Sequence, residues 1–172
     1  MGIKRNFDKS AIGMAFDQQL ELVKRAMVNT LSYVGEQCVN TARSLPSPNV
    51  AIDFPDYPSK PIPPHTPNYI DWTANLRSSI GYVVVVDGEI VGGLDSFKPV
   101  DGGADGAQKG REFAAEVAGR YPTGINLIIV AGMHYAAYLQ QKDYDVLNSA
   151  VDEAEELAPR LLNELMEEIK KN

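Results

Sequence analysis

Apolar residues in the first quarter of the chain recur in steps of three and four. They are Ile12, Phe16, Leu20, Val23, Met27, Leu31, Val34, Cys38, Ala42 and Leu45. A mean step of about 3.7 residues indicates one amphipathic helix. If it runs unbroken from near Asp8 or Ser10 to Ser44, it spans roughly 50 Å at about 1.5 Å per residue.

A compact domain of this size has a diameter of about 40 Å. We therefore expect the first helix to extend beyond its own domain, so that part of its apolar stripe is covered by a neighbouring copy. The alternative is that Gly35 bends or breaks the helix and both halves fold back onto one core.

The tail from about Tyr144 to Lys170 shows the same helical period. Its apolar stripe consists of Leu147, Val151, Ala154, Leu157, Leu161, Leu165 and Ile169. Acidic residues occupy the opposite face, which is typical of a solvated surface. Pro159 interrupts the pattern, so either the helix kinks there or a second helix starts with Pro in its first turn.

The segment from Asp71 to Val91, DWTANLRSSIGYVVVVDGEIV, combines several local signals. Asp71 or Thr73 can cap a short helix, on which Leu76 and Ile80 fall four residues apart on one face. The β-branched and aromatic run from Tyr82 to Val86 predicts a strand. Asp87-Gly88 then predicts a two-residue hairpin turn, with Ile90-Val91 opening the return strand.

Two further elements follow the hairpin. A helix is predicted from about Ala107 to Arg120, and its inward-facing residues would be Phe113, Ala114, Val117 and Ala118. The apolar run from Ile125 to Val130 predicts a strand that is buried on both faces. The elements predict a single α+β domain over residues 1–172. Its long N-terminal helix and its C-terminal helix pack on a small, mainly antiparallel sheet.

A proline-rich arm covers residues 46–70. Eight of the 11 prolines lie between Pro46 and Pro67, which excludes helix and central strand there. Its apolar anchors would be Ile52, Phe54, Tyr57, Ile62 and Tyr69. The arm either reaches onto an adjacent subunit, wraps its own domain, or acts as a mobile linker.

Length and charge narrow the function classes. With 172 residues the chain can form one domain with its own core, and a net charge of -7 disfavours binding to phosphate backbones. DNA is therefore not expected as a ligand, although an acidic wall would suit a channel through which DNA only passes. One cysteine excludes an internal disulfide, no apolar run is long enough for a membrane span, and the N-terminus does not resemble a secretory signal.

The chemical inventory is small. His65 and His134 are the only histidines, neither belongs to a zinc or catalytic motif, and Cys38 lies on the apolar stripe of the first helix. We therefore expect no enzyme activity, no cofactor and no bound metal. One stretch could still bind calcium. Its residues Asp101, Asp105, Gly106 and Glu112 occupy positions of an EF-hand-like loop. The alternative is that this Gly/Asp-rich stretch is a flexible loop without a cation.

Two segments carry a family resemblance. TANLRSSIGYVV, from Thr73 to Val84, resembles the signature of phage neck and tail-completion proteins, with Ala74 where that family usually has Gly. INLIIVAGMHYAAYLQQKDYDVLNSA, from Ile125 to Ala150, is similar to the family's last strand, its Tyr-Ala-x-Tyr step and the following helix.

The resemblance implies a structural role at the junction of a phage head and tail. The chain would form a hexameric or dodecameric ring with copies of itself, contact portal (connector) and tail proteins, and reside in the virion after assembly in the host cytoplasm. The candidate interface residues are Trp72, Thr73, Asn75, Leu76, Arg77, Ile80, Phe54, Tyr57, Tyr135 and Tyr138. The alternatives are a small ligand- or calcium-binding module using loop 95–112 and, third, a hydrolase.

Overall fold

A computed structural model describes residues 9–45, 69, 71 and 73–171 of the chain. The helices and strands follow in the order α1 (Lys9–Ser44), α2 (Asn75–Ser79), β1 (Ile80–Val86), β2 (Glu89–Gly92), α3 (Ala104–Ala118), β3 (Ile125–Ala131), α4 (Ala136–Gln141) and α5 (Asn148–Lys171). A short 3-10 helix, Leu94–Ser96, lies between β2 and α3. The proline-rich arm lies outside the described residues, apart from Tyr69 at its end.

The three strands form one antiparallel sheet in the order β2-β1-β3. The predicted turn is confirmed, because Asp87 and Gly88 both have positive φ angles, 48° and 88°. The long first and last helices pack with this small sheet. The predicted α+β class is thus confirmed.

One face of the sheet carries the larger core. Ile80, Tyr82 and Val84 of β1 point to this face and pack with α1, whose buried residues include Leu31 and Val34. The helix α5 packs along α1 on the same side, and the hydroxyl of Thr41 donates a hydrogen bond to the carboxylate of Glu153.

The opposite face of the sheet packs against α3. The alternate residues of β1, Val83 and Val85, point to this side and meet Phe97, Ala114 and Ala118. Alternate residues of β1 thus point into two different cores, so almost the whole strand is buried. Helices on both faces cover it, and a strand on each side pairs with its backbone.

The predicted extension of α1 beyond the domain is confirmed. All residues from 13 to 22 are exposed, and the first buried residue among positions 13–44 is Leu31. We call residues 13–22 the overhang. It presents the large apolar side chains of Met14, Phe16, Leu20 and Leu22, with exposed fractions of 64%, 68%, 43% and 57%.

Gly35 does not break α1, which continues to Ser44. The glycine instead gives the ring of Tyr82 room to lie against the helix backbone, since a Cβ atom built at Gly35 would come within 2.4 Å of that ring. The alternative of a bent first helix is therefore wrong. Close packing, not a hinge, explains this glycine.

The same substitution at two positions of α1 should have opposite effects. We expect Gly35→Ala to lower the free energy of unfolding by about 2 kcal/mol through overpacking against Tyr82. Gly13→Ala meets no atom within 4 Å and should raise that free energy by about 0.5–1 kcal/mol, because alanine favours helix. Urea unfolding of both variants measures the difference. Equal effects would contradict the packing role of Gly35.

Some sequence-based boundaries need correction. The strand β1 begins at Ile80, not Tyr82, so Ile80 does not share a helix face with Leu76. Helix α3 begins at Ala104, and its Phe113 is 38% exposed, not inward. Strand β3 is only half-buried over much of its length, because it forms an edge of the sheet.

The last helix also differs in detail from its prediction. It starts at Asn148 and continues through Pro159, so no second helix starts there. Pro159 and Glu155 are both exposed, and the carbonyl that loses its helical partner can therefore bond to water. Val151 of the predicted stripe is 47% exposed, because it lies away from α1.

Candidate functional site

The segment that carries the first resemblance is an internal joint of the chain. The N-cap position of α2 is Ala74, not Asp71 or Thr73 as predicted, and it carries no side-chain cap. The two predicted residues still contact the first turn: the amide of Asn75 donates to the Thr73 hydroxyl at 3.3 Å, and the Asp71 carboxylate accepts from the amides of Leu76 and Arg77. The preceding residue, Ala74, has a left-handed φ of 56°. Glycine adopts such a conformation without the steric cost that a side chain brings.

Arg77 links this joint to the start of α3. Its guanidinium lies 2.6 Å from the Asp101 carboxylate and 3.4 Å from that of Asp71. Burial raises the pKa of Asp71, and the nearby Arg77 charge and two backbone amides act in the opposite direction. The ion pair with the exposed Asp101 contributes little stability, whereas the carboxylate of Asp71 is buried beside the Arg77 guanidinium.

The Gly/Asp-rich stretch packs tightly against α2. The amide of Gly106 donates to the Asn75 side-chain carbonyl at 3.1 Å, and a Cβ atom at Gly106 would lie 1.9 Å from the Asn75 backbone oxygen. A Cβ at Gly103 would similarly meet the Ser78 hydroxyl at 2.2 Å. The expectation of a flexible glycine loop is therefore wrong from Ala104 onward, because these glycines allow two helices to touch.

The EF-hand interpretation fails on geometry. Asp105, Gly106 and Glu112 belong to α3, so they do not curve around a common centre as calcium ligands must. Asp105 pairs with Lys109 at 2.8 Å, and Asp101 pairs with Arg77. Among residues 9–45, 69, 71 and 73–171, no cluster of three or more His, Cys, Asp or Glu side chains could hold a metal ion.

The predicted interface residues separate into core and surface positions. Leu76 and Ile80 are 1% and 0% exposed, so they are core residues and offer no surface to a partner. Tyr135 is half-buried and hydrogen-bonded to Thr73, which joins the two segments of the resemblance. Burial raises the pKa of its phenol, as does the neighbouring Asp71.

Tyr138 is a predicted interface residue with an open side chain. It is 60% exposed, and the Lys142 ammonium lies 5.7 Å from its ring centre. Trp72, Phe54 and Tyr57 lie outside the described residues. Of the predicted arm anchors only Tyr69 is described, and it is 2% exposed within the main core.

Cys38 is a buried free thiol on the α1 side of the core. Burial, and secondly the charge of Glu153, raises its pKa from 9.0 to about 11. A folded-state pKa above the unfolded value means that the free energy of unfolding falls as the pH rises from 9 towards 11. This position suits a small hydrophobic residue, as predicted, and not a nucleophile.

The thiol should therefore be unreactive in the folded chain. At pH 8 we expect iodoacetamide to modify Cys38 at least about 100-fold more slowly in native protein than in urea, because only the thiolate reacts and the core excludes the reagent. Mass spectrometry of timed samples measures both rates. Equal rates would contradict the burial of Cys38.

An open surface beside β3 was not predicted from the sequence. A groove of about 730 Å³ runs along this strand, and we call it the β3 groove. Phe113, Val117 and Tyr121 line one side, while Ala137 and Leu147 contribute to the other. The apolar run of β3 indicated burial, but the strand order that leaves one edge uncovered arises from long-range pairing.

Comparisons of the chain with protein-family models, curated proteins and solved structures give no match. The described part of the chain contains no helix both long enough and apolar enough to cross a membrane.

Proposed function

We propose that this chain is a structural virion component of the neck or tail-completion type, which forms a ring between the head connector of a phage and its tail. The observation that carries the proposal is the overhang of α1. Four large apolar side chains, Met14, Phe16, Leu20 and Leu22, are exposed on a helical segment that lies outside both hydrophobic cores of the described residues.

An exposed helical segment of this kind is stabilised by burial against another surface. Each large side chain that becomes buried contributes about 1.5–3 kcal/mol, so a second copy that covers several of them gains several kcal/mol. The overhang projects from one end of the domain and would dock on a different surface of the next copy. Such heterologous contacts close into a ring when the rotation between copies permits it.

The acidic charge of the chain fits the same role. A net charge of -7 weakly repels DNA, which suits a ring through which the genome must pass without binding. The connector and the tail would occupy the two faces of the ring. The resemblance of the segments around Thr73 and Tyr135 to neck proteins supports hexameric or dodecameric assembly.

The ligand-binding alternative has no supporting observation in the described residues. Asp101 and Asp105 are engaged with Arg77 and Lys109, and α3 occupies the stretch that a cation loop would need. A hydrolase likewise has no supporting arrangement of nucleophile and base among the described side chains.

Oligomer measurements test the proposal. We expect mass photometry and sedimentation velocity to show one closed species of fixed copy number, either for the chain alone at high concentration or after addition of purified connector. An unrelated acidic protein of similar mass serves as the control for nonspecific association. A chain that remains monomeric over the whole concentration range, with and without connector, would contradict the ring.

A further inference from the structure

The outer edge of β3 presents a regular row of backbone groups. The amide of Gly132 donates to the Ser79 carbonyl at 3.1 Å, and the amide of Asp87 donates to the Gly124 carbonyl at 2.9 Å. These pairs continue the β1–β3 register at both ends. Hydrogen-bonded and non-hydrogen-bonded pairs alternate along an antiparallel ladder. Even-numbered residues of β3 therefore bond to β1, and odd-numbered residues point their N–H and C=O groups away from it.

The outward residues are Ile125, Leu127, Ile129 and Ala131. No other strand of the described chain pairs with this side of β3, which ends the β2-β1-β3 sheet. An unpaired strand edge is a template for an added strand. Here the template is seven residues long, and its only polar residue is Asn126.

The β3 groove restricts what can pair with this edge. Its walls come from α3, through Phe113 and Val117, and from the region of α4, through Ala137 and Leu147. A second copy of β3 carries the same two walls, so two such edges would collide before their backbones met. The groove instead fits an extended segment that has no helices beside it.

We propose that the segment Val50–Phe54 in the arm of a second copy adds to β3 as a further strand. Between Leu45 and Tyr69, the residues 49–54 form the longest run without proline, so each retains its N–H donor. Val50, Ile52 and Phe54 alternate with Ala51 and Asp53, which gives the period of two of a strand. This inference rests on the proposed ring, for which it names the joining contact.

The arm of a second copy is the source of the strand that the proposed ring requires. The Arg43 guanidinium donates to the carbonyls of Ile80 and Ser96 at 2.7 and 2.9 Å, and the Ile80 carbonyl points away from β3. This guanidinium therefore lies on the β2 side of β1, close to the start of the arm. Five residue steps from Leu45 to Val50 reach at most about 17 Å, and neighbouring strands lie about 5 Å apart. Insertion of the chain's own segment is therefore the competing outcome, which the cross-linking experiment separates from a contact between copies.

Backbone methylation tests the pairing. Full-length chain carrying Ile52→Pro, which prevents its own segment from pairing, is titrated with a fluorescent peptide of residues 46–58. Two further peptides carry N-methyl groups either at residues 50, 52 and 54 or at residues 51 and 53. Backbone donors alternate in direction along a strand, so one set should weaken binding at least about tenfold and the other should change it little. Absence of binding, or equal weakening by both sets, would overturn the proposal.

Cross-linking tests whether the contact joins two copies. In a Cys38→Ala background, one tagged chain carries Asp53→Cys and a differently tagged chain carries Ala137→Cys on the groove wall. We expect a bismaleimide to give mixed dimers, and far fewer when the second chain carries Asp152→Cys on the exposed face of α5. If a chain carrying both Asp53→Cys and Ala137→Cys links only within itself, the second copy is ruled out as the source of the strand.

This inference and the proposed ring fail separately. If Ile52→Pro chains still form the ring and the methylated peptides show no alternation, the strand contact is wrong while the ring stands. If the unmodified chain does not assemble even with connector, the ring is wrong. The peptide titration can still be measured on that monomer.

Discussion

Gly106→Ala is expected to destabilise the fold by about 3 kcal/mol or more. The added methyl group would lie 1.9 Å from the backbone oxygen of Asn75 and 2.6 Å from its Cα atom. Overpacking of a core side chain usually costs about 1–3 kcal/mol, and here the obstacle is main chain, which cannot rotate away. Helices α2 and α3 would have to separate. Their separation would also break the bond from the Gly106 amide to the Asn75 side chain.

Gly119→Ala provides a matched control at the end of the same helix. Its backbone is helical, and the nearest atom to an added Cβ is the Glu116 oxygen at the ordinary contact distance of 3.5 Å. We expect a change below about 0.5 kcal/mol in the free energy of unfolding, as is usual for surface substitutions. Urea unfolding followed by circular dichroism measures both variants. If Gly106→Ala matched the control, the close contact between α2 and α3 would be wrong.

Replacement of Phe16 and Leu20 by glutamine should abolish most of the assembly. The two side chains are 68% and 43% exposed on the overhang and belong to neither hydrophobic core, so their replacement leaves the cores intact. If both side chains become buried in a ring, their removal lowers the free energy of association between two neighbouring copies by about 3 kcal/mol or more. This corresponds to a roughly 100-fold weaker association. Glutamine keeps the helix propensity high, so α1 itself should persist.

The control for this variant is Met166→Gln. Met166 is a comparably exposed apolar residue, at 46%, but it belongs to α5 and not to the overhang. Mass photometry with connector should show the ring for Met166→Gln and monomers for the double variant, with unchanged thermal unfolding of either monomer. Normal assembly of the double variant would exclude the overhang as a contact.

The fold was largely predictable where the signal is local and repeated. The 36-residue helix α1 follows from apolar steps of three and four that continue past Gly35, and the hairpin follows from Asp87-Gly88 between β-branched runs. Such patterns depend on neighbours within a few residues. They therefore survive without knowledge of the tertiary contacts.

Features that depend on distant contacts were not predictable in the same way. Gly103 and Gly106 appear in a Gly/Asp-rich stretch that is typical of a loop, yet they serve the approach of α2, some thirty positions earlier in the chain. Likewise, the apolar sequence of β3 predicts burial on both faces. Whether a fourth strand covers its outer edge depends on the whole sheet topology.

The candidate site was predictable only in part. The two resemblance segments do meet, through the Thr73–Tyr135 bond and the β1–β3 pairing. However, Leu76 and Ile80 stabilise the core and do not form a surface, because a signature can reflect packing as well as binding. The overhang of α1 was predicted from helix length alone, which made it the most useful functional signal in the sequence.

A cryo-electron microscopy map of the particle that contains this chain would test the ring itself. The proposed ring predicts several copies arranged around the channel axis at the joint of head and tail. Residues 13–22 of each α1 should be covered by the adjacent copy. The ring would be contradicted by a map in which the chain is absent from that joint, or in which Phe16 and Leu20 remain open to solvent in every copy.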